Sequence, residues 1–286
     1  MYFMITNKKE DYIGFKYIDN SNNETCCQTG VWFTNAANIF KFISNGIYLV
    51  QVSFPKDNPE FKMIKDESGN KWRANMIILG KQYDLFNVDT FKYLIEQGAD
   101  IHSENENALC VSAQFGHLDI VKFLVEKKAD IHIYGDFPLR MSAQNGHLDI
   151  VEYLVQNNAN VYAQKYYALR RSACNGHLDV VKYLISSGAD IHAENDAALC
   201  LSAERGHLSV VKYLASHCAY IHASYGAALR WSAEKGHLSV VKFLVECGAN
   251  IHACDDAALH LSAKNNHLDV HLFLKNKYHE TNYILH

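Results

Sequence analysis

ADIHSENENALCVSAQFGHLDIVKFLVEKK at 99–128 is followed without a gap by ADIHIYGDFPLRMSAQNGHLDIVEYLVQNN at 129–158 and ANVYAQKYYALRRSACNGHLDVVKYLISSG at 159–188. Further lines in the same register begin at Ala189, Ala219 and Ala249. Self-similarity at a fixed thirty-residue period marks a solenoid of stacked units, none of which can bury its apolar face alone. Sliding back another thirty residues puts Leu79 under Leu109, Asp89 under Asp119, and Phe91 to Leu94 under Val121 to Leu124. A degenerate unit is therefore expected over 69–98, ahead of six regular units over 99–277.

Each line reads as two short helices. In the line from Ala189 the first covers Ala198 to Arg205, with Leu199, Ser202 and Ala203 on one buried stripe, the small pair letting helices approach closely. The second covers Leu208 to Ser216, with Leu208, Val211, Leu214 and Ala215 expected inside. Glycines at 116, 146, 176, 206 and 236 suit the left-handed position that ends the first helix, and Asn266 takes that place in the last line. Two apolar columns turn polar together at His271 and Lys275, as a terminal unit without a neighbour requires. The solenoid is expected to end near 277, leaving 278–286 as a tail.

GHLDIVKFL at 116–124 and GADIHA at 188–193 resemble the ankyrin repeat, whose pattern joins a TPLHxA helix start, a GHLEVVKLLL second helix and a GADVNA loop. The resemblance covers about residues 69–277. Its style, preceded by TGVWFTNAANIFKFISNGIYLVQVSFP, is similar to ankyrin repeat proteins of giant DNA viruses of amoebae, which implies action inside a host cell on a host protein. The implied fold is mainly α, an ankyrin-type helical solenoid of about seven units with a small N-terminal mixed α/β segment. Two departures stand out. The unit is shorter than the family's, which predicts stubby hairpin fingers. The TPLH tetrapeptide is replaced, for example by Phe137 to Arg140 and Tyr167 to Arg170, so its threonine and histidine bonds are expected to be mostly lost.

Residues 1–68 lack the register and alternate strand-like runs, YIGFKYI and GIYLVQVSF, with turn-rich DNSNNE and PKDNPE; Ala36 to Ile43 suit a short helix. A cap on the first unit is the plain expectation. An adaptor module engaging ubiquitin or signalling machinery is the alternative.

Composition narrows the partner. The net charge of -4 gives no field that implies nucleic acid or an anionic membrane. No basic n-region followed by an apolar core opens the chain, and no run of about 18 apolar residues occurs. Eight cysteines without CxxC spacing read as reduced thiols, and Cys26 and Cys27 are too close for both to chelate zinc, so an intracellular, cytoplasmic or nuclear monomer is expected.

Eleven of sixteen histidines are repeat positions, six before Leu in the GHL column and five in the loop column. Stacked equivalents lie about 8–10 Å apart, too far to share one zinc, so structural hydrogen bonding is expected rather than a metal or other cofactor. The loop histidines stand where the family has an asparagine tying one loop to the next, and a pH-sensitive array is conceivable. No catalytic set is visible, and a solenoid face offers no deep cleft to orient a base, so the chain is expected not to be an enzyme.

What remains is a surface for a protein partner. In the family the concave face is lined by finger tips and by the two residues before GH. By register these are Gln114 and Phe115, Gln144 and Asn145, Cys174 and Asn175, Glu204 and Arg205, and Glu234 and Lys235. Tyr134 and Tyr166 stand at expected finger tips and, with Phe115, are the aromatic candidates, since aromatics dominate interface hot spots. Phe137 and Tyr167 either pack locally or join them. Arg140, Arg170 and Arg230 share a column beside Arg171, suiting either a basic ladder for an acidic segment or solvated and internally paired arginines. Trp231 is expected to fill the core.

Overall fold

The computed structural model describes residues 1–7, 14–17 and 31–284; Cys26, Cys27 and the DNSNNE stretch lie outside the described residues. Two compact units are formed, Met1–Ile133 and Tyr134–His286.

The first unit opens with an antiparallel sheet. Its strands are β1 (Tyr2–Thr6), β2 (Gly14–Tyr17), β3 (Val31–Asn35), β4 (Tyr48–Ser53), β5 (Met63–Lys65), β6 (Trp72–Ala74) and β7 (Met76–Asp84), in the order β2-β7-β4-β1-β3-β6-β5. Register follows the apolar alternation, with Met4 opposite Val50 and Phe3 opposite Gln51. Phe3, Leu49, Ile77 and Leu79 are buried, and Tyr2 packs edge-on against Phe33, Phe54 and Trp72. A 3-10 helix over Ala36–Asn45 carries Ile39, Phe40 and Ile43 inward. The strand-rich N-terminal segment expected from the alternating runs is thus present, but its sheet runs to Asp84, past residue 68.

This corrects the degenerate first repeat. Leu79, aligned with helical Leu109, lies on β7, and only the second helix forms, α1 (Val88–Glu96), with Phe91 and Leu94 buried. MIILG is a short apolar run whose periodicity does not separate strand from buried helix. The unit continues with α2 (Ser103–Phe115) and α3 (Leu118–Glu126). Phe40 stacks on Phe91 at 4.9 Å, Asn107 Nδ2 donates to Phe40 O at 2.8 Å, and Lys41 pairs with Glu104 at 3.1 Å.

In the second unit the pairs are α4 (Ile133–Gln144) with α5 (Leu148–Gln156), α6 (Ala163–Cys174) with α7 (Leu178–Ser186), α8 (Ala193–Glu204) with α9 (Leu208–Ser216), α10 (Ala223–Glu234) with α11 (Leu238–Glu246), and α12 (Ala253–Lys264) with α13 (Leu268–Ile284). Leu199, Ser202 and Ala203 are buried as expected, and the hydroxyls of Ser142, Ser172, Ser202 and Ser232 are each absorbed by a carbonyl three residues back. In α9 the buried set is Val210, Val211 and Leu214, whereas Leu208 and Ala215 are only half-buried. Trp231 is half-buried too and does not fill the core.

Hairpin fingers are absent, since among the described residues no strand follows Asp84. Each first helix instead begins with a left-handed turn, as at Glu194–Asp196 and Ser224–Gly226, where φ runs from 51 to 72°. The deleted finger leaves too little chain for a hairpin, and a left-handed turn reverses direction within three residues. The expected tail is corrected as well, because α13 runs on to Ile284. Gly188, Cys218 and Gly248 end their helices with φ of 94, 71 and 87°; Tyr278 occupies that column, stays helical, and packs edge-on against His252.

Candidate functional site

The left-handed turns decide what the first helices display. A non-glycine residue pays about 1–2 kcal/mol for this conformation, so something local must hold it. In three repeats the holder is arginine: Arg140 donates from Nε to Gly135 O at 2.8 Å and from Nη2 to Tyr134 O at 2.7 Å. Arg170 does the same to Lys165 O and Gln164 O, and Arg230 to Tyr225 O and Ser224 O. These arginines stand where the family has histidine, and internal pairing is their first role.

A second holder was missed by sequence reasoning. Asp136 and Asp196, the last residues of their turns, are buried, and their Oδ1 atoms accept from the amides of Asn160 and Tyr220, each at 2.8 Å, in the next loop. The acid, not the loop histidine, therefore makes the loop-to-loop tie. The histidine pairs within its own turn: His192 Nδ1 lies 3.0 Å from Asp196, His102 Nδ1 2.6 Å from Glu106, and His252 Nδ1 2.7 Å from Asp256. The bond from Glu106 holds the His102 imidazole above its ordinary pKa, outweighing desolvation. The recurring acid four residues after histidine was the available signal.

The GHL histidines bridge repeats. Nε2 of His177, His207 and His237 meets the backbone oxygen of Gln144, Cys174 and Glu204 at 2.9–3.0 Å. Burial at this junction holds His177 below the ordinary imidazole pKa. Among the described residues, no group of three or more His, Cys, Asp or Glu is placed to hold a metal, and no helix is long and apolar enough to cross a membrane.

With Ser142 and its equivalents inward, the outward positions of the first helices are those of 137, 141, 144 and 145. The residue just before each glycine, Phe115, Asn145, Asn175, Arg205 and Lys235, is exposed, and its predecessor, Gln114, Gln144, Glu204 or Glu234, is half-buried. Cys174 is buried. Several are already engaged: Gln144 O also accepts from Asn175 Nδ2 at 2.7 Å, Gln144 Oε1 accepts from Tyr167 OH at 2.9 Å, and Lys235 lies 3.6 Å from Glu234.

Tyr134 is 58% exposed, while Tyr166 is half-buried edge-on against Tyr162. Phe115 lies in the first unit, 6.3 Å from Phe86, on a cleft of about 610 Å³ that Ile47 and His117 also line. The most exposed aromatic among the described residues, Tyr225 at 83%, was missed, as was Tyr220. Tyr220 interrupts a column of Asp and Asn that caps the following turn, as Asp190 does for the His192 amide, and that interruption was the legible signal.

One constellation combines charge and ring. The guanidinium carbons of Arg140, Arg171 and Arg170 lie 5.2, 5.3 and 6.0 Å from the Tyr167 ring centroid. A hydrogen bond from Arg171 to the Tyr167 oxygen raises the arginine's pKa further.

The family model of ankyrin repeats matches residues 39–134, 83–165, 129–195, 169–255 and 199–284. An ankyrin repeat protein of Acanthamoeba polyphaga mimivirus is 40% identical over 128 residues, 41% of this chain and 63% of its own length. Another from that virus is 37% identical over 125 residues, 41% of this chain and 38% of its own length, so both matches span less than two thirds of those relatives. An uncharacterized protein of the same virus is 40% identical over 121 residues, covering 38% of this chain and 87% of that protein. With its thirty-residue units, bridging histidines and matched repeats, the chain belongs to the ankyrin repeat family.

Proposed function

We propose that this chain is a non-enzymatic protein-interaction scaffold whose first-helix face, the groove side of an ankyrin array, binds a protein of the host cell. The observation that carries this is a division of labour along α4, α6, α8, α10 and α12. Ser142, Ser172, Ser202, Ser232 and Ser262 never vary and are fully buried, whereas the outward column reads Met141, Arg171, Leu201, Trp231, Leu261. Uniform positions stack the repeats, and varied ones are free to match a ligand. Gln114, Phe115, Tyr134, Gln144, Asn145, Tyr166, Asn175, Glu204, Arg205, Glu234 and Lys235 belong to the proposed contact set, with Tyr225 added.

Immobilised chain should capture a defined host protein, identified by mass spectrometry. Joint alanine substitution of Phe115, Tyr134 and Tyr166 should weaken capture without lowering the melting temperature; unaltered capture removes this patch. The adaptor reading, with the N-terminal segment engaging ubiquitin or signalling machinery, draws on the cleft beside Ile47, Phe86 and Phe115. A charged residue at Ile47, 46% exposed, should then abolish a second partner while sparing the first.

A further inference from the structure

The cluster around Tyr167 concentrates positive charge without neutralising it. Arg140 and Arg170 are fixed by paired bonds to their own turns, so their guanidiniums are oriented in advance. Arg171 is exposed beside them. Among the described residues, carboxylates of this unit lie against other groups: Glu194 against Lys165, Asp179 against Lys182, Glu234 against Lys235, Glu280 against Lys277, Asp196 against His192 and Asp256 against His252. No carboxylate among the described residues pairs with Arg140, Arg170 or Arg171. Three like charges beside one ring repel one another, and a bound anion relieves that repulsion while using the N–H groups the turns leave over.

We infer that the Arg140–Tyr167–Arg171 cluster seats two carboxylates of an acidic, extended segment of the protein partner. This rests on the scaffold reading and names the chemistry of its partner. Stacked helices stand about 8–10 Å apart, and a strand rises about 3.3 Å per residue with side chains alternating faces, so acids two positions apart share a face and, with the reach of their side chains, span from α4 to α6. Carboxylates fit better than nucleic acid. The Tyr167 ring is ringed by guanidiniums and offers no free platform for a base.

The test uses the full chain and a fluorescent ten-residue peptide with Glu at every second position, its Glu-to-Gln counterpart, and a ten-nucleotide single strand. The acidic peptide should bind, the amide peptide and the Arg171→Gln chain should each lose about tenfold, and the affinity should fall with salt. Arg171 holds no turn, so Arg171→Gln should keep the wild-type melting curve; if it does not, Arg171→Lys, which retains charge but loses the fork, should still weaken the peptide. Equal binding of the acidic and amide peptides, unchanged affinity in both variants, or tighter binding of the nucleotide strand would overturn the assignment. Host-protein capture that persists in Arg171→Gln and is not competed by the acidic peptide removes this inference and leaves the scaffold reading standing. Peptide binding without any capture does the reverse.

Discussion

A Cβ added to Gly146 would fall 2.5 Å from Nδ1 of His177, the bridging histidine of the following repeat. The glycine is therefore fixed twice, by its φ of 80° and by the imidazole laid over it. Gly248 has a comparable φ of 87° with nothing within 4 Å of an added Cβ, and its column already holds Lys128, Asn158 and Cys218 at positive φ. Gly248→Ala should cost about 1 kcal/mol from backbone strain alone. Gly146→Ala should cost about 1–3 kcal/mol more, because the ring must move off Gln144 O. Urea denaturation of both variants measures the difference, and equal losses would show that the histidine yields freely.

Asp196 offers a second separation. Its carboxylate accepts from Tyr220 N and lies against His192, so Asp196→Ala strands a backbone N–H in a half-buried loop. The expected cost is about 1–3 kcal/mol. Asp196→Asn keeps an acceptor for the amide and should recover most of it. If alanine and asparagine destabilise equally in urea, the carboxylate's contact with His192 rather than the loop tie holds the turn.

The contrast between Gly146 and Asp196 also explains what was legible in the sequence. Helices, buried columns and the helix-ending glycines follow from local spacing, and they appear where the period places them. The left-handed turns do not, because Glu194, Asn195 and Asp196 carry no glycine to announce positive φ, and the bond stabilising them reaches Tyr220, twenty-four residues away. β7 was hidden for a related reason: Leu79 matched a helical column, but pairing with β4, seen only in three dimensions, makes it a strand. For the candidate surface, register located the exposed position before each glycine, yet it could not reveal that Gln144 and Asn175 were already bonded across repeats.

In the first unit, Phe91 is fully buried and stacks on Phe40, and Asn107 donates to the Phe40 carbonyl. If the N-terminal sheet works as a cap, Phe91→Ala should cost about 3–5 kcal/mol and Asn107→Ala about 1 kcal/mol. Hydrogen exchange should quicken in α2 and α3 of the Phe91 variant. Faster exchange confined to the strands would mean that the sheet and the first repeat unfold independently.

The two kinds of histidine predict opposite pH behaviour. His102 is held above its ordinary value by Glu106, so its folded state binds a proton more tightly than the unfolded chain. That stabilisation is fully present below the unfolded value of 6.5 and is lost as pH rises through the higher folded value. His177 is held below by burial, so its contribution is intact above 6.5 and falls as pH drops toward the folded value, where the unfolded chain takes the proton first. Replacing His102 by Gln should therefore lower stability at about pH 5 and matter little at about pH 9. Replacing His177 by Gln should cost most above about pH 7, with the gap to wild type narrowing in acid. Urea midpoints across this range decide the matter, and parallel curves for both variants would show that neither proton is linked to folding.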